Sequence, residues 1–220
     1  MGGSGAQAVF LDRDGIINEL LYVAEQGRVE TPLTPQQVRL IPGVAEGIRT
    51  LQRAGLRVIV VSNQPGIAKG QFTRPTFERI QQRARRLLGR EGVRLDGEYY
   101  CLHHPHARIK AYRKACDCRK PKPGLILKAI QERRLERASS FMVGDGLVDV
   151  EAGWRAGCQT ILVGHVSSLL TQVMKRKQLV PTYLAETFGE AVEWILGQQT
   201  NGRVRPHARR ARRSGKALVV

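Results

Sequence analysis

The chain has no apolar run near the roughly 18 residues that a membrane helix requires. Its start, Met1-Gly2-Gly3-Ser4-Gly5-Ala6, has neither a basic opening nor an apolar segment of the export type. Both absences point to the cytoplasm, and residues 1–7 read as a flexible leader. Aromatics are scarce at 5%, and acids are outnumbered, 19 Asp and Glu against 36 Lys and Arg. There are four cysteines, and no internal repeat is found. The 220 residues, 42% of them hydrophobic, can build one sizeable α/β domain with little left for a second.

A net charge of +17 suggests nucleic acid until it is located. Residues 201–220 hold seven cations (Arg203, Arg205, Arg209, Arg210, Arg212, Arg213 and Lys216) and no acid, so removing these seven leaves +10 on the remainder. The rest of the chain is still basic, which suits an anionic ligand such as a phosphate ester. Residues 198–220 read as a basic, disordered tail, and nucleic acid is expected as a partner only through it. Oligomeric state is not legible, and a monomer is the simpler expectation.

What is present is a strand-helix rhythm. Val9-Phe10-Leu11 reads as a strand, and Gly43–Arg53, with Val44, Ile48 and Leu51 at helical spacing and Gly55 as a stop, as a helix. Between them, residues 19–42, broken by Pro32, Pro35 and Pro42, read as an irregular loop across the mouth of a site. Leu56–Val61 is a β-branched run of the type buried on both faces of a parallel sheet. A second helix follows Pro75, with an apolar stripe from Phe77 to Leu88 and an arginine-rich outer face. Leu125–Arg134 reads as a helix, Phe141–Val143 as a strand, Val148–Ala156 as a helix, Thr160–Val163 as a strand and Thr187–Leu196 as a helix. The alternation predicts a doubly wound parallel sheet.

Ligands of such sheets bind beyond the carboxyl ends of the strands. Asp12, Asp14, Ser62 and Asp145 all stand where a predicted strand stops. Alternation along an extended chain sends Asp12 and Asp14 to one side and Arg13 elsewhere, and Gly15 lets the chain turn just past them. Two carboxylates held so close need a cation between them or a proton on one. A merely charged loop after a strand is the plainer alternative for this stretch alone; four polar side chains gathered at three strand ends weigh against it.

A second cluster lies at residues 101–118, where three of the four cysteines and three of the five histidines fall. Cys-x-His and Cys-x-Cys pairs suit tetrahedral zinc, and a closed set of four marks a structural site. The set assigned is Cys101, His103, Cys116 and Cys118, with His104 as the alternative to His103. Cys158, beside an apolar strand, reads as a small core residue. Directly after Cys118 come Arg119-Lys120-Pro121-Lys122-Pro123-Gly124, so a metal-pinned loop would fix Arg119 and Lys120 as an anion-binding pair.

Asp-x-Asp-Gly after the first strand, Ser62 after the second, Lys120 before a helix, and Gly144-Asp145 with Asp149 resemble the haloacid dehalogenase (HAD) superfamily of phosphohydrolases. The Cys-x-His…Cys-x-Cys-Arg-Lys-Pro-x-Pro-Gly insertion is similar to the branch of D,D-heptose 1,7-bisphosphate phosphatases and histidinol phosphatases. The resemblance covers roughly residues 8–197. It implies a HAD-like, Rossmann-like doubly wound sheet with a small zinc loop and no large cap. It further implies an Mg²⁺-dependent phosphatase of a small phosphorylated sugar, with heptose 1,7-bisphosphate losing its 7-phosphate. By the same resemblance Asp12 is the nucleophile and Asp14 the general acid and base, its proton favoured by the charge of Asp12. Mg²⁺ would sit on the Asp12 and Asp145 carboxylates and the Asp14 carbonyl. Ser62 and Lys120 would hold the phosphoryl oxygens, with Asn63, Gln64 and Arg119 reaching substrate. Two positions depart from the branch: Gly146 replaces a common lysine, and Leu20 and Leu21 replace polar residues. Histidinol phosphate, a polynucleotide 3′-phosphate and, in another class, a zinc-stabilised nucleic-acid-binding module are the competing expectations.

Overall fold

Strand β1 (Ala8–Leu11) is wholly buried, as an apolar run must be when both faces of a sheet are covered. In the computed structural model, which describes residues 5–24, 27–165 and 167–200, it lies between β4 (Arg57–Asn63) and β6 (Phe141–Gly144) and runs parallel to both. Strands β5 (Gly97–Cys101), β7 (Gln159–Val163) and β8 (Tyr183–Ala185) complete a six-stranded sheet in the order β5-β4-β1-β6-β7-β8, every pair parallel.

The two faces follow from alternation along β1. Val9 and Leu11 face a cluster that takes in Ile48 and Leu51 of helix α1 (Val44–Arg53) and Ala191, Val192 and Ile195 of helix α7 (Phe188–Thr200). Ala8 and Phe10 face the opposite cluster, with Leu125, Ile126 and Ala129 of helix α4 (Gly124–Arg133) and Ala152 and Ala156 of helix α5 (Leu147–Ala156). Helices on both faces make the sheet doubly wound, as expected. From β1 the chain builds outward through β4 and β5, then crosses over to β6, β7 and β8. The order reverses between β1 and β6, and the crevice beyond those two carboxyl ends is where such a sheet takes a ligand.

Helix α2 (Gly66–Lys69) is a single turn after β4. Helix α3 (Arg74–Arg90) starts at Thr73, whose hydroxyl accepts from the Thr76 amide, and buries Phe77, Ile80, Ala84 and Leu88. Residues 19–42 are not wholly irregular. Strands β2 (Leu21–Val23) and β3 (Arg28–Glu30) pair as an antiparallel hairpin. Three-residue strands whose central side chains, Tyr22 and Val29, are exposed carry no alternation that sequence alone would reveal. Strand β8 and helix α6 (Ser168–Lys177) also lack a predicted counterpart; α6 is held by the Ser167 hydroxyl accepting from the Leu170 amide. At the N-terminal end, Ala6 O accepts from Glu136 N and Gln7 O from Arg57 N. Of the tail expected at residues 198–220, residues 198–200 instead continue helix α7, and residues 201–220, like residues 1–4 of the leader, lie outside the described residues. Among the described residues no helix is long and apolar enough to cross a membrane.

Candidate active site

Just past β1, Asp12 N donates to Val143 O at 3.0 Å and so fastens the loop to β6. Gly15 takes φ +84°, a left-handed turn that glycine adopts without strain. The turn brings Ile17 N and Asn18 N back onto Arg13 O, at 2.8 and 3.0 Å. It also delivers the Asn18 amide to Asp14 Oδ1 at 2.8 Å. Alternation placed Arg13 away from Asp14, and here the expectation fails. The chain leaves extended geometry at the turn, and Arg13, 2% exposed, folds back to pair with Asp14. Its Nε and Nη2 donate to Asp14 Oδ1 at 3.0 and 2.9 Å, and Nη2 also reaches Gln64 Oε1 at 2.7 Å.

A second, separate set of charges surrounds Lys120, which is almost wholly buried. Its ammonium contacts Asp149 Oδ1 at 2.6 Å, Asp12 Oδ2 at 2.9 Å and the Val61 carbonyl at 2.9 Å. Burial works against that charge, but Asp12 and Asp149 outweigh it and raise the Lys120 pKa, so the side chain stays an ammonium. Carboxylate oxygens of Asp12, Asp145 and Asp149 lie within 4.8 Å of one another. One lysine does not neutralise three acids. Asp145 is pushed up to about 6 by burial and then by the charge of Asp12. Asp149 is pushed up to about 7 by burial, with Asp12 adding to it against the pull of Lys120. An all-oxygen cluster with surplus negative charge suits a hard divalent cation, and the residues present therefore fit Mg²⁺. The backbone is shaped to hold it: a Cβ on Gly15 would fall 2.0 Å from Asp145 Oδ2, and one on Gly144 2.3 Å from the Asp149 side chain.

Ser62 and Asn63 stand inside β4, paired with Tyr100 and Cys101 of β5, rather than beyond the strand. Asn63 and Lys120 clasp each other: Lys120 N donates to Asn63 Oδ1 and Asn63 Nδ2 to Lys120 O, both at 3.0 Å. Gln64 is buried, its amide donating to Asp14 Oδ2 at 2.6 Å and to the Ser62 hydroxyl at 3.0 Å. Arg119 donates to the His103 carbonyl at 3.3 Å, which ties it to the neighbouring sulfur cluster.

That cluster gathers Cys101, His103, Cys116 and Cys118. Sulfurs of Cys101 and Cys116 are 3.6 Å apart, and those of Cys116 and Cys118 3.2 Å. His103 Nδ1 lies 3.5 Å from Cys118 Sγ and 3.9 Å from Cys101 Sγ. A tetrahedral zinc with usual bond lengths spreads its ligands to about 3.8 Å for sulfur pairs and about 3.6 Å for sulfur and nitrogen. Three of the four separations lie within about 0.3 Å of those values and Cys116–Cys118 is the tight pair, so the donor set of three thiols and one imidazole suits that ion. His104 is elsewhere: its Nδ1 accepts from His106 N at 3.1 Å, and its own amide donates to Tyr112 O. The loop closes where Gly124 N meets Asp117 O at 3.0 Å, at a place where a Cβ would fall 2.3 Å from that oxygen. Cys158 stays apart in the core, where burial pushes its thiol up to about 12.

Beside Gly15 and Asp145 opens a cleft of about 720 Å³, walled by Glu19, Leu20, Ile41 and Phe188 among others. Leu20 therefore lies on a wall of the cleft, and Gly146 caps helix α5 with its amide on Asp149 Oδ2. Sequence alone assigns no role to Arg13 or Asn18. Their signal was faint: a charged residue between two acids, and an amide four positions after the second one.

The family model described as HAD-hydrolase-like matches residues 117–191. A D-glycero-β-D-manno-heptose-1,7-bisphosphate 7-phosphatase of Escherichia coli (strain K12) is 42% identical over 165 residues, 74% of this chain and 82% of the relative. One from Escherichia coli O6:H1 is 42% identical over 190 residues, 86% of this chain and 88% of the relative. Among solved structures, a D,D-heptose 1,7-bisphosphate phosphatase from B. bronchiseptica, complexed with magnesium and phosphate, superposes with a TM-score of 0.70 at 26% identity. It covers 87% of this chain and 99% of the other. This chain belongs to the D-glycero-D-manno-heptose-1,7-bisphosphate 7-phosphatase family of HAD-like phosphatases.

Proposed function

We propose that the chain removes the 7-phosphate of D-glycero-D-manno-heptose 1,7-bisphosphate through an aspartyl-phosphate on Asp12. An Asp12 oxygen attacks phosphorus while the bond from phosphorus to the sugar oxygen breaks. Asp14 gives its proton to the departing alkoxide. It then takes a proton from water, which attacks the aspartyl-phosphate, releases inorganic phosphate and restores Asp12. Dividing one difficult displacement into two is the gain from a covalent intermediate. Mg²⁺, held by the Asp12 and Asp145 carboxylates and the Asp14 carbonyl, would neutralise the charge of the transferring group. Lys120 and Ser62 hold the phosphoryl oxygens, Asn63 fixes Lys120, and Gln64 and Arg119 complete the substrate side. Zn²⁺ on Cys101, His103, Cys116 and Cys118 would serve as a scaffold, bracing Arg119 and Lys120.

The observation that carries this reading is the meeting of Asp12, Asp145, Asp149 and Lys120 at the sheet's switch point. The 42% identity to enzymes named for this substrate supports the choice of sugar. We take residues 8–197 as the working domain, and the cytoplasm, where a thiol cluster stays reduced, as its compartment. The test measures phosphate release from heptose bisphosphate, histidinol phosphate, a 3′-phosphorylated oligonucleotide and an aryl phosphate, with and without Mg²⁺, for the wild type and Asp12→Asn. Heptose bisphosphate should give the highest kcat/KM, only with Mg²⁺ and only in the wild type. Equal, metal-independent rates in both proteins would refute the mechanism; a preference for another substrate would move the specificity.

A further inference from the structure

Arg13 is the largest side chain fully buried in the described residues, and its guanidinium pairs with Asp14, while its backbone amide donates to Asp12 Oδ1 at 2.7 Å. Placing a guanidinium in the interior is unfavourable unless its charge and donors are met. Its partners are Asp14 and Gln64: Nε and Nη2 on Asp14 Oδ1, Nη2 on Asp14 Oδ2 at 2.9 Å and on Gln64 Oε1. Nη1 has no hydrogen-bond partner among the described residues, so the fork is used for this grip and nothing else. Gln64 closes the ring by donating to the same Asp14 Oδ2, and Asn18 adds a donor on Oδ1. Both oxygens of Asp14 are thereby engaged, which leaves the carboxyl one orientation. Neighbours along an extended chain do not meet in this way; it takes the left-handed turn at Gly15 to fold Arg13 beneath Asp14.

We infer that Arg13 is a positioning residue, aiming the Asp14 carboxyl at the leaving oxygen through the closed Arg13–Asp14–Gln64 ring. The inference rests on the reading of Asp14 as the acid that protonates that oxygen. It separates from a purely structural role by the leaving group. An alkoxide needs the proton as its bond breaks, whereas a nitrophenolate leaves without it. The ratio kcat/KM reports the steps up to loss of the leaving group and excludes the later hydrolysis of the aspartyl-phosphate.

The experiment compares kcat/KM for a sugar phosphate and for p-nitrophenyl phosphate, at saturating Mg²⁺, in the wild type, Arg13→Met, Arg13→Lys and Asp14→Asn. General acid catalysis is worth about 10²–10⁴-fold, so the misaimed acid of Arg13→Met should lose about 30-fold or more on the sugar phosphate. On the aryl phosphate it should lose no more than about 3-fold. Arg13→Lys keeps the charge without the planar fork and should recover only part of the loss. It is also the milder change should Arg13→Met not fold, and then its own selective loss on the sugar phosphate, set against Asp14→Asn, decides. Equal losses on both substrates, or none, in the folded Arg13 variants would overturn the inference if Asp14→Asn still discriminates between leaving groups. If Asp14→Asn itself shows no discrimination, it is the acid reading of Asp14 that fails.

Discussion

Replacing Lys120 by Met keeps the length of the stem and removes the charge that three acids share. Lys120 is about 97% buried and Asp149 about 99%, so no water can take over the role of the ammonium. Breaking one partner of a buried ion pair costs about 3–5 kcal/mol, because the remaining charge stays uncompensated. The orphaned Val61 carbonyl, which accepts from Lys120 at 2.9 Å, adds to that cost. For a chain of this size, about 2–4 °C of Tm goes with each kcal/mol, so Lys120→Met should melt roughly 6–20 °C lower. Urea unfolding of the metal-free protein at neutral pH measures it, with the midpoint falling and the m-value unchanged. The double variant Lys120→Met/Asp149→Asn removes the abandoned charge and should recover about 1–2 kcal/mol. A Lys120→Met variant as stable as the wild type, or a double variant whose losses simply add, would refute the account of Lys120 as the counter-ion of this cluster.

Asp145, raised to about 6, binds a proton when folded where the unfolded side chain, at its ordinary 3.8, has lost it. The metal-free protein should therefore lose stability as pH rises from about 4 to about 6. Asp145 is exposed, so solvent screening holds the loss from this group to about 1 kcal/mol; Asp145→Asn should flatten that part of the urea-midpoint profile, and an unchanged profile would refute it. Gly15→Ala would place a Cβ 2.0 Å from Asp145 Oδ2 at φ +84° and should weaken apparent Mg²⁺ activation at least about tenfold. Gly55→Ala has the same φ with open space around it and should leave that activation unchanged; equal activation in the two variants would refute the reasoning. His103→Ala and Cys118→Ser should lower bound zinc and Tm together, while His104→Ala keeps both, as metal analysis and thermal melts would show.

Much of this was legible before the fold was known. The apolar runs around Phe10, Val60 and Val143 are long enough, and buried evenly enough, for the parallel strands to be read from composition alone. Strands β5 and β8, the hairpin β2–β3 and helix α6 were not, because they are short, marginal or only partly buried, and tertiary contact rather than periodicity holds them. The cysteine and histidine spacing named the three cysteines that meet, but could not choose between His103 and His104 for the fourth member. The backbone pairing of His104 with the Tyr112–Arg113 stretch turns its ring away from the sulfurs.

By itself the sequence determined the doubly wound architecture, the acids at the strand ends and the three cysteines of the sulfur-rich cluster, since these depend on local pattern and on chemistry that few residue types can perform. Only the tertiary structure decided how the acids divide. Asp12 joins Asp145, Asp149 and Lys120, while Asp14 is drawn to Arg13, Asn18 and Gln64. Two carboxylates one residue apart have identical local context. Which cation each meets depends on a left-handed turn at Gly15 and on strands that come together from 50 to 130 residues away.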